Sequence, residues 1–251
     1  MNKHLSNEEA MIDLNNKATV SIGKKLDGDD VEHNFQKHPI ILIGGGSSSG
    51  KSNLIQSIIC SLISSHKSRE MKLYLIDLKK VEFIFYKKLP HLFLPLATSL
   101  TQATAGLEKL TAEIVKRIEN KTKGPFILVA IDEFADLSLN HTELFENFVQ
   151  RVAKDGEKTG VGLVIATSNL TPKVITEKID YSAVSRVGFE TASDIDSKLL
   201  IKQSGCCGMD KKGSGLYFTC SGTTPVPVQS ALITDDEIDT CVEKSMLLDS
   251  Y

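Results

Sequence analysis

No apolar run in this chain approaches the ~18 residues needed to cross a bilayer, so no membrane-spanning helix is expected. No C-x-x-C pair occurs. The cysteines, Cys60, Cys206, Cys207, Cys220 and Cys241, are odd in number, and Cys206, Cys207 and Cys220 fit no usual zinc spacing. Reduced thiols in a cytoplasmic protein are the expectation. The stretch MNKHLSNEEAMIDLNNK is too polar for a secretory signal. Neither sign of charge dominates: 29 Lys and Arg face 32 Asp and Glu, for a net charge of −3. That balance argues against a strongly basic nucleic-acid binder. It leaves room for a ring whose basic residues line only a channel, because local potential matters more than the total. Internal repeats are missing, and so is low complexity outside one Gly/Ser-rich stretch.

What remains is ordinary for a folded protein: 251 residues, 41% hydrophobic and 24% charged. That length permits one large α/β domain or two small ones. Residues 1–19 read as a polar N-terminal tail and 20–251 as one domain.

The Gly/Ser-rich stretch organises the rest. Ile40-Ile41-Leu42-Ile43 is short and apolar enough for a buried strand. Gly45-Gly46-Ser47-Ser48-Ser49-Gly50-Lys51-Ser52 follows and fits G-x-x-x-x-G-K-[ST] at every fixed position. From Asn53 to Ile63 apolar residues recur at helical spacing through Leu54, Ile58 and Leu62. Strand, glycine loop and helix are the context a phosphate-binding loop needs, and they set it apart from a flexible linker. Glycines let the backbone curl so that several N–H groups face an anion, and the helix adds its positive end. Residues Gly45 to Asn53 are therefore the expected nucleotide-binding set. Lys51 would reach the β- and γ-phosphates of ATP, and the Ser52 hydroxyl would ligate Mg²⁺.

Along the rest of the chain, apolar runs alternate with helical patterns. Strands are expected at Val20–Ile22, Met71–Asp77, Phe126–Ile131, Gly160–Thr167, Ser185–Glu190, around 211–218 and at Val226–Ile233. Helices are expected at Leu107–Glu119, Thr142–Lys158, Ser193–Gln203 and Asp235–Leu247, with another starting at Thr171-Pro172. In the first, Leu107, Leu110, Ile114 and Ile118 share a face while Glu113 and Arg117 pair outside. Pro90 and Pro95 break any long helix between Leu78 and Leu96. This rhythm implies a mainly parallel sheet with helices on both faces.

A phosphate-binding loop also needs carboxylates from a second strand. Phe126 to Ile131 ends in Asp132-Glu133, at the carboxyl edge where ligands bind. Asp132 is the expected Mg²⁺ partner and Glu133 the water-polarising base. The strand Leu163–Thr167 should lie between these two strands, with Ser168 or Asn169 facing the γ-phosphate. Arg186 is either an arginine finger reaching a neighbour's nucleotide or an exposed strand arginine.

Taken together, these motifs resemble the motor domain of the FtsK/SpoIIIE family of DNA translocases, from about Val20 to about Val242. Leu75-Ile76-Asp77-Leu78-Lys79-Lys80-Val81-Glu82 is similar to its I-D-P-K-x-x-E element, and Leu89-Pro90-His91-Leu92 contains its P-H-L. Asp132-Glu133-Phe134-Ala135-Asp136-Leu137 matches its D-E-F-A-D-L. Arg186-Val187-Gly188-Phe189 stands at its R-I-A-F, Ile195-Asp196-Ser197-Lys198 at its I-D-S-R, and Gly213 to Tyr217 at a glycine turn. The resemblance implies a RecA-like P-loop NTPase fold, a homo-oligomer in the form of a hexameric ring, ATP and Mg²⁺ as cofactors, and double-stranded DNA drawn through the channel. It also implies that Arg186 acts across the subunit interface. Two departures concern the site: Ser48 replaces a usual glycine, and Ser168 a usual glutamine. The family's membrane anchor and DNA-reading winged helix have no counterpart here, so a bare motor serving a plasmid, phage or integrative element is expected. Related motors in conjugation and secretion act on protein, and a nucleotide-binding scaffold without turnover is a further alternative.

Overall fold

The structure is a computed structural model that describes residues 18–181, 183–209 and 212–249. Most of the expected tail, together with Ser182 and Lys211, lies outside them. The chain opens with strands β1 (Thr19–Lys24) and β2 (Asp30–Asn34), which form an antiparallel hairpin. Strand β3 (Ile40–Gly44) leads into helix α1 (Lys51–Ser65), and β4 (Met71–Asp77) leads through an irregular segment into α2 (Leu100–Asn120). Then come β5 (Phe126–Asp132), α3 (Ala135–Asn140), α4 (Thr142–Thr159), β6 (Val161–Thr167), α5 (Glu177–Tyr181) and β7 (Ser185–Gly188). Helix α6 (Asp194–Ile201), strands β8 (Ser214–Phe218) and β9 (Val226–Gln229), and helix α7 (Asp235–Asp249) complete the order.

The strands form a nine-stranded sheet in the order β2-β1-β9-β8-β7-β3-β6-β5-β4. Strands β7, β3, β6, β5 and β4 are parallel, as their uninterrupted apolar runs imply. Strands β8, β9, β1 and β2 extend the sheet antiparallel. Strands β1, β8 and β9 fall where the sequence implies strands, at Val20–Ile22, around 211–218 and from Val226; strand β2 and the antiparallel pairing of this wing go beyond the sequence reading.

The pleat divides the core in two. Ile41 and Ile43 of β3 pack with α1 and α7 on one face, while Ile40 and Leu42 pack with α2 and α4 on the other. Alternate residues of a strand point to opposite faces, so a central strand must be apolar throughout. Ser99 caps α2, its hydroxyl accepting from the Gln102 N–H at 3.3 Å, and Ser193 caps α6, accepting from the Asp196 N–H at 3.2 Å.

Three local expectations change. No helix starts at Thr171; its carbonyl accepts from the N–H groups of Val174 and Ile175 in a turn, and the helix begins at Glu177. Ile118 is exposed, not packed with Leu107, Leu110 and Ile114. Arg117 does pair with Glu113 at 2.8 Å, but it is buried. Its guanidinium also donates to the carbonyls of Pro125 and Thr159 at 2.8 and 2.7 Å, satisfying two acceptors just before β5 and at the end of α4.

Candidate active site

The phosphate-loop sequence runs from the end of β3 into the first turn of α1. Gly45 and Gly50 adopt φ of 149° and 121°. A Cβ on Gly45 would come within 2.8 Å of the Ser49 hydroxyl and 2.9 Å of Phe189, so the close approach requires glycine. The loop is pinned from outside: the Gly46 N–H donates to the Glu190 carbonyl at 2.7 Å, and the Gly213 N–H to the Ser49 carbonyl at 3.0 Å. Ser48 takes φ of 59° despite its side chain. The turn is made with the strain of a non-glycine residue.

Lys51 is 8% exposed and its ammonium donates to the carbonyls of Gly45 and Gly46 at 2.9 and 2.7 Å. Burial lowers its pKa, and the nearby carboxylates of Glu133 and Asp132 raise it. Helix α1 starts with no side-chain cap and no acidic residue in its first turn, so the helix itself places no anion at its positive end.

Strand β5 delivers the carboxylates. The Ser52 hydroxyl donates to Asp132 Oδ1 at 3.4 Å, joining the two half-sites. Burial, helped by Glu82, Glu133 and Asp77, pushes the Asp132 carboxyl up to about 6 from 3.8. Glu133 takes φ of 53°, a strained conformation that turns it toward the end of β6. Strand β6 lies between β3 and β5, as the sequence implies. At its end the Thr167 hydroxyl donates to Glu133 Oε1 at 2.5 Å and the Ser168 hydroxyl to Glu133 Oε2 at 2.5 Å, with the Ser168 N–H within 3.1 Å of both oxygens. Burial pushes the Glu133 carboxyl up, but these bonds outweigh it and hold it below the ordinary value.

A cleft of about 470 Å³ opens beside the loop, lined on one side by Ser48, Lys51, Ser52 and Asn53 and on the other by Gln229, Ser230 and Leu232. Asn53 is not free to face a ligand with its carboxamide, which donates to the Ile233 carbonyl at 2.8 Å and accepts from its N–H at 3.2 Å. The Ser49 and Ser230 hydroxyls are buried without a hydrogen-bond partner, which is costly unless a ligand completes them. Ser52 and Asp132 are hard oxygen donors that fit a Mg²⁺ ion keeping several of its waters. Gly45 to Ser52, Asp132, Glu133 and Ser168 are thus brought together. Arg186 is not. It is 3% exposed within the sheet, donating to the Leu200 carbonyl at 2.9 Å and to the carbonyl and carboxylate of Asp180, each at 2.9 Å. It is not an exposed strand arginine; within this subunit its guanidinium is engaged by Asp180 and Leu200.

The FtsK/SpoIIIE family profile matches residues 6–120. A DNA translocase FtsK from Staphylococcus aureus is 31% identical over 91% of this chain, and one from Corynebacterium glutamicum is 29% identical over 94%. The chain belongs to the FtsK/SpoIIIE family. It spans about a third of the length of these FtsK relatives, 32% and 29% respectively. Among solved structures, the pCW3 conjugation coupling protein TcpA in its monomer form with ATPγS superposes with a TM-score of 0.80 at 23% identity, over 92% of this chain and 70% of that one. The type VII secretion ATPase EccC of Thermomonospora curvata superposes at 0.78 and 19% identity, over 92% of this chain and 31% of that one. The architecture is the RecA-like P-loop fold of these neighbours and of the FtsK/SpoIIIE motor. No helix among the described residues is long and apolar enough to cross a membrane.

Sequence reasoning assigned no part to Lys79, Glu82, Gln229 or Ser230, all of which border the site. The Leu75 to Glu82 motif was the available signal for the first two. Gln229 and Ser230 lie too far along the chain for any local pattern to connect them with the loop.

Proposed function

We propose that this chain is an ATP-hydrolysing DNA translocase motor core that moves double-stranded DNA as a homo-oligomeric, hexameric ring. The observation that carries the reading is the convergence of Lys51 and Ser52 from one strand–loop–helix with Asp132 and Glu133 from another strand. Family membership, with relatives named DNA translocase, supports DNA as the substrate.

In this reading Lys51 exchanges its Gly45 and Gly46 carbonyl partners for phosphate oxygens, at little cost because the ammonium is already desolvated. The backbone of Gly45 to Gly50 and the α1 N-terminus cradle the phosphates, and the Ser49 hydroxyl gains an acceptor. Ser52 and Asp132 would hold Mg²⁺, which would supply positive charge to the phosphates. Glu133 orients the attacking water once one of its oxygens is free, while Thr167 and Ser168 keep it aimed. The five cysteines are free, as befits work in the cytoplasm.

ATPase rate with and without duplex DNA, over a salt series, tests this. DNA should stimulate hydrolysis, and the stimulation should fall as salt rises, because contact with the phosphate backbone releases counterions. No stimulation at any salt would refute the DNA motor. The net charge of −3 favours a second reading, an ATPase of a conjugation or secretion system acting on protein. Stimulation by a partner peptide, with none by DNA, would select it. ATP binding without turnover in any condition would select a scaffold, which the full engagement of Glu133 favours.

A further inference from the structure

Lys79 has a place in the fold that stability does not explain. It sits in the turn that follows β4, and that turn is firmly built. Asp77 is fully buried, and its carboxylate accepts from the N–H groups of Lys80 and Glu82 at 2.8 Å and of Phe83 at 3.1 Å. Gln56, on α1, donates to the Glu82 carbonyl at 2.5 Å. The backbone under Lys79 is thereby tied to the helix that begins at the phosphate loop. Its side chain is free of such ties and 58% exposed. The ammonium stands 3.6 Å from Glu133 Oε2.

That oxygen already accepts from the Ser168 hydroxyl and N–H. A cation beside a carboxylate so well supplied with donors adds little to the fold, least of all at this exposure. It does add charge beside the site: Lys79 lies close enough to Lys51 for the two ammonium groups to repel. Two cations facing one region repay their repulsion when a multiply charged anion comes between them.

We propose that Lys79 is a second cation for the terminal phosphate of a bound nucleoside triphosphate. With the triphosphate in place, its ammonium moves from Glu133 Oε2 to that phosphate, and Glu133 is left with an oxygen that can accept from water. A diphosphate does not reach Lys79, so the residue distinguishes the two nucleotides. The inference rests on reading the site as an ATPase centre.

Calorimetric titration with ATPγS and with ADP, in Mg²⁺ and in EDTA, tests it on Lys79→Gln and Lys79→Arg. Lys79→Gln should weaken ATPγS about tenfold and leave ADP and the melting temperature unchanged; Lys79→Arg should keep most of the ATPγS affinity. Equal loss for both nucleotides, or no loss for either, overturns the proposal. Failure of the underlying site looks different: Lys51→Ala would then bind ATPγS as tightly as the unaltered chain.

Discussion

Ser52 and Asp132 stand 80 residues apart in sequence, yet the hydroxyl of one donates to the carboxylate of the other at 3.4 Å. Ser52 lies in the first turn of α1, beyond the loop that follows β3, and Asp132 ends β5, with β6 between the two strands. A parallel sheet places the carboxyl ends of its strands along one edge, so two remote motifs become one site.

Asp132 should make the site sensitive to pH. Its folded-state carboxyl is raised to about 6 from 3.8. A raised carboxyl favours the fold fully below the unfolded value and loses that contribution as pH climbs through 6, so at pH 8 the buried charge costs stability. Asp132→Asn should raise the apo unfolding free energy by about 2 kcal/mol at pH 8 and change little at pH 4. The same variant should lose the Mg²⁺ dependence of nucleotide affinity. Thermal unfolding at the two pH values, and titrations with and without Mg²⁺, measure both.

Lys51→Ala removes the buried ammonium that already bridges the loop carbonyls. Hydrolysis should fall at least about 100-fold, the scale of losing one preorganised charge donor. Full activity in a steady-state ATPase assay would disprove the site.

Ser48 holds φ of 59° without the freedom of glycine. A left-handed non-glycine residue costs about 1–2 kcal/mol, partly offset by the greater unfolded-state entropy of glycine. Ser48→Gly should therefore raise stability by roughly 0.5 kcal/mol and leave Lys51-dependent nucleotide binding intact. Chemical denaturation detects the change; a clear loss of stability would show that the Ser48 side chain holds the loop.

Arg186 offers a test between packing and action in trans. Its buried guanidinium is bound to Asp180 and to the Leu200 carbonyl. Arg186→Ala should destabilise the isolated subunit by about 3 kcal/mol, the low end for a broken buried pair, since Lys202 still partners Asp180. An unchanged denaturation midpoint combined with lost ring activity would instead return it to the role of an interface finger.

The short-range features were legible. The strand–loop–helix around Gly45 to Ser52 and the buried run before Asp132 follow from apolar periodicity and glycine chemistry. Arg117 and Arg186 were not. Each lies in a segment whose local pattern allows an exposed arginine, and each is drawn inside by carbonyls that other elements leave without donors. Strand β2, the partner of the expected strand at Val20–Ile22, was missed because it is short and polar on one side.

By itself, the order of residues determined which groups this protein could bring to a phosphate: a glycine loop with Lys51 and Ser52, and a carboxylate pair closing an apolar strand. Those are properties of neighbours, set by spacing and side-chain type. Only the tertiary structure decided that Glu133 is held by Thr167, Ser168 and Lys79, that Ser48 adopts a left-handed turn, and that Arg186 points inward. Such outcomes depend on which unsatisfied donors and acceptors meet when distant strands are laid side by side, and no stretch of sequence carries that information alone.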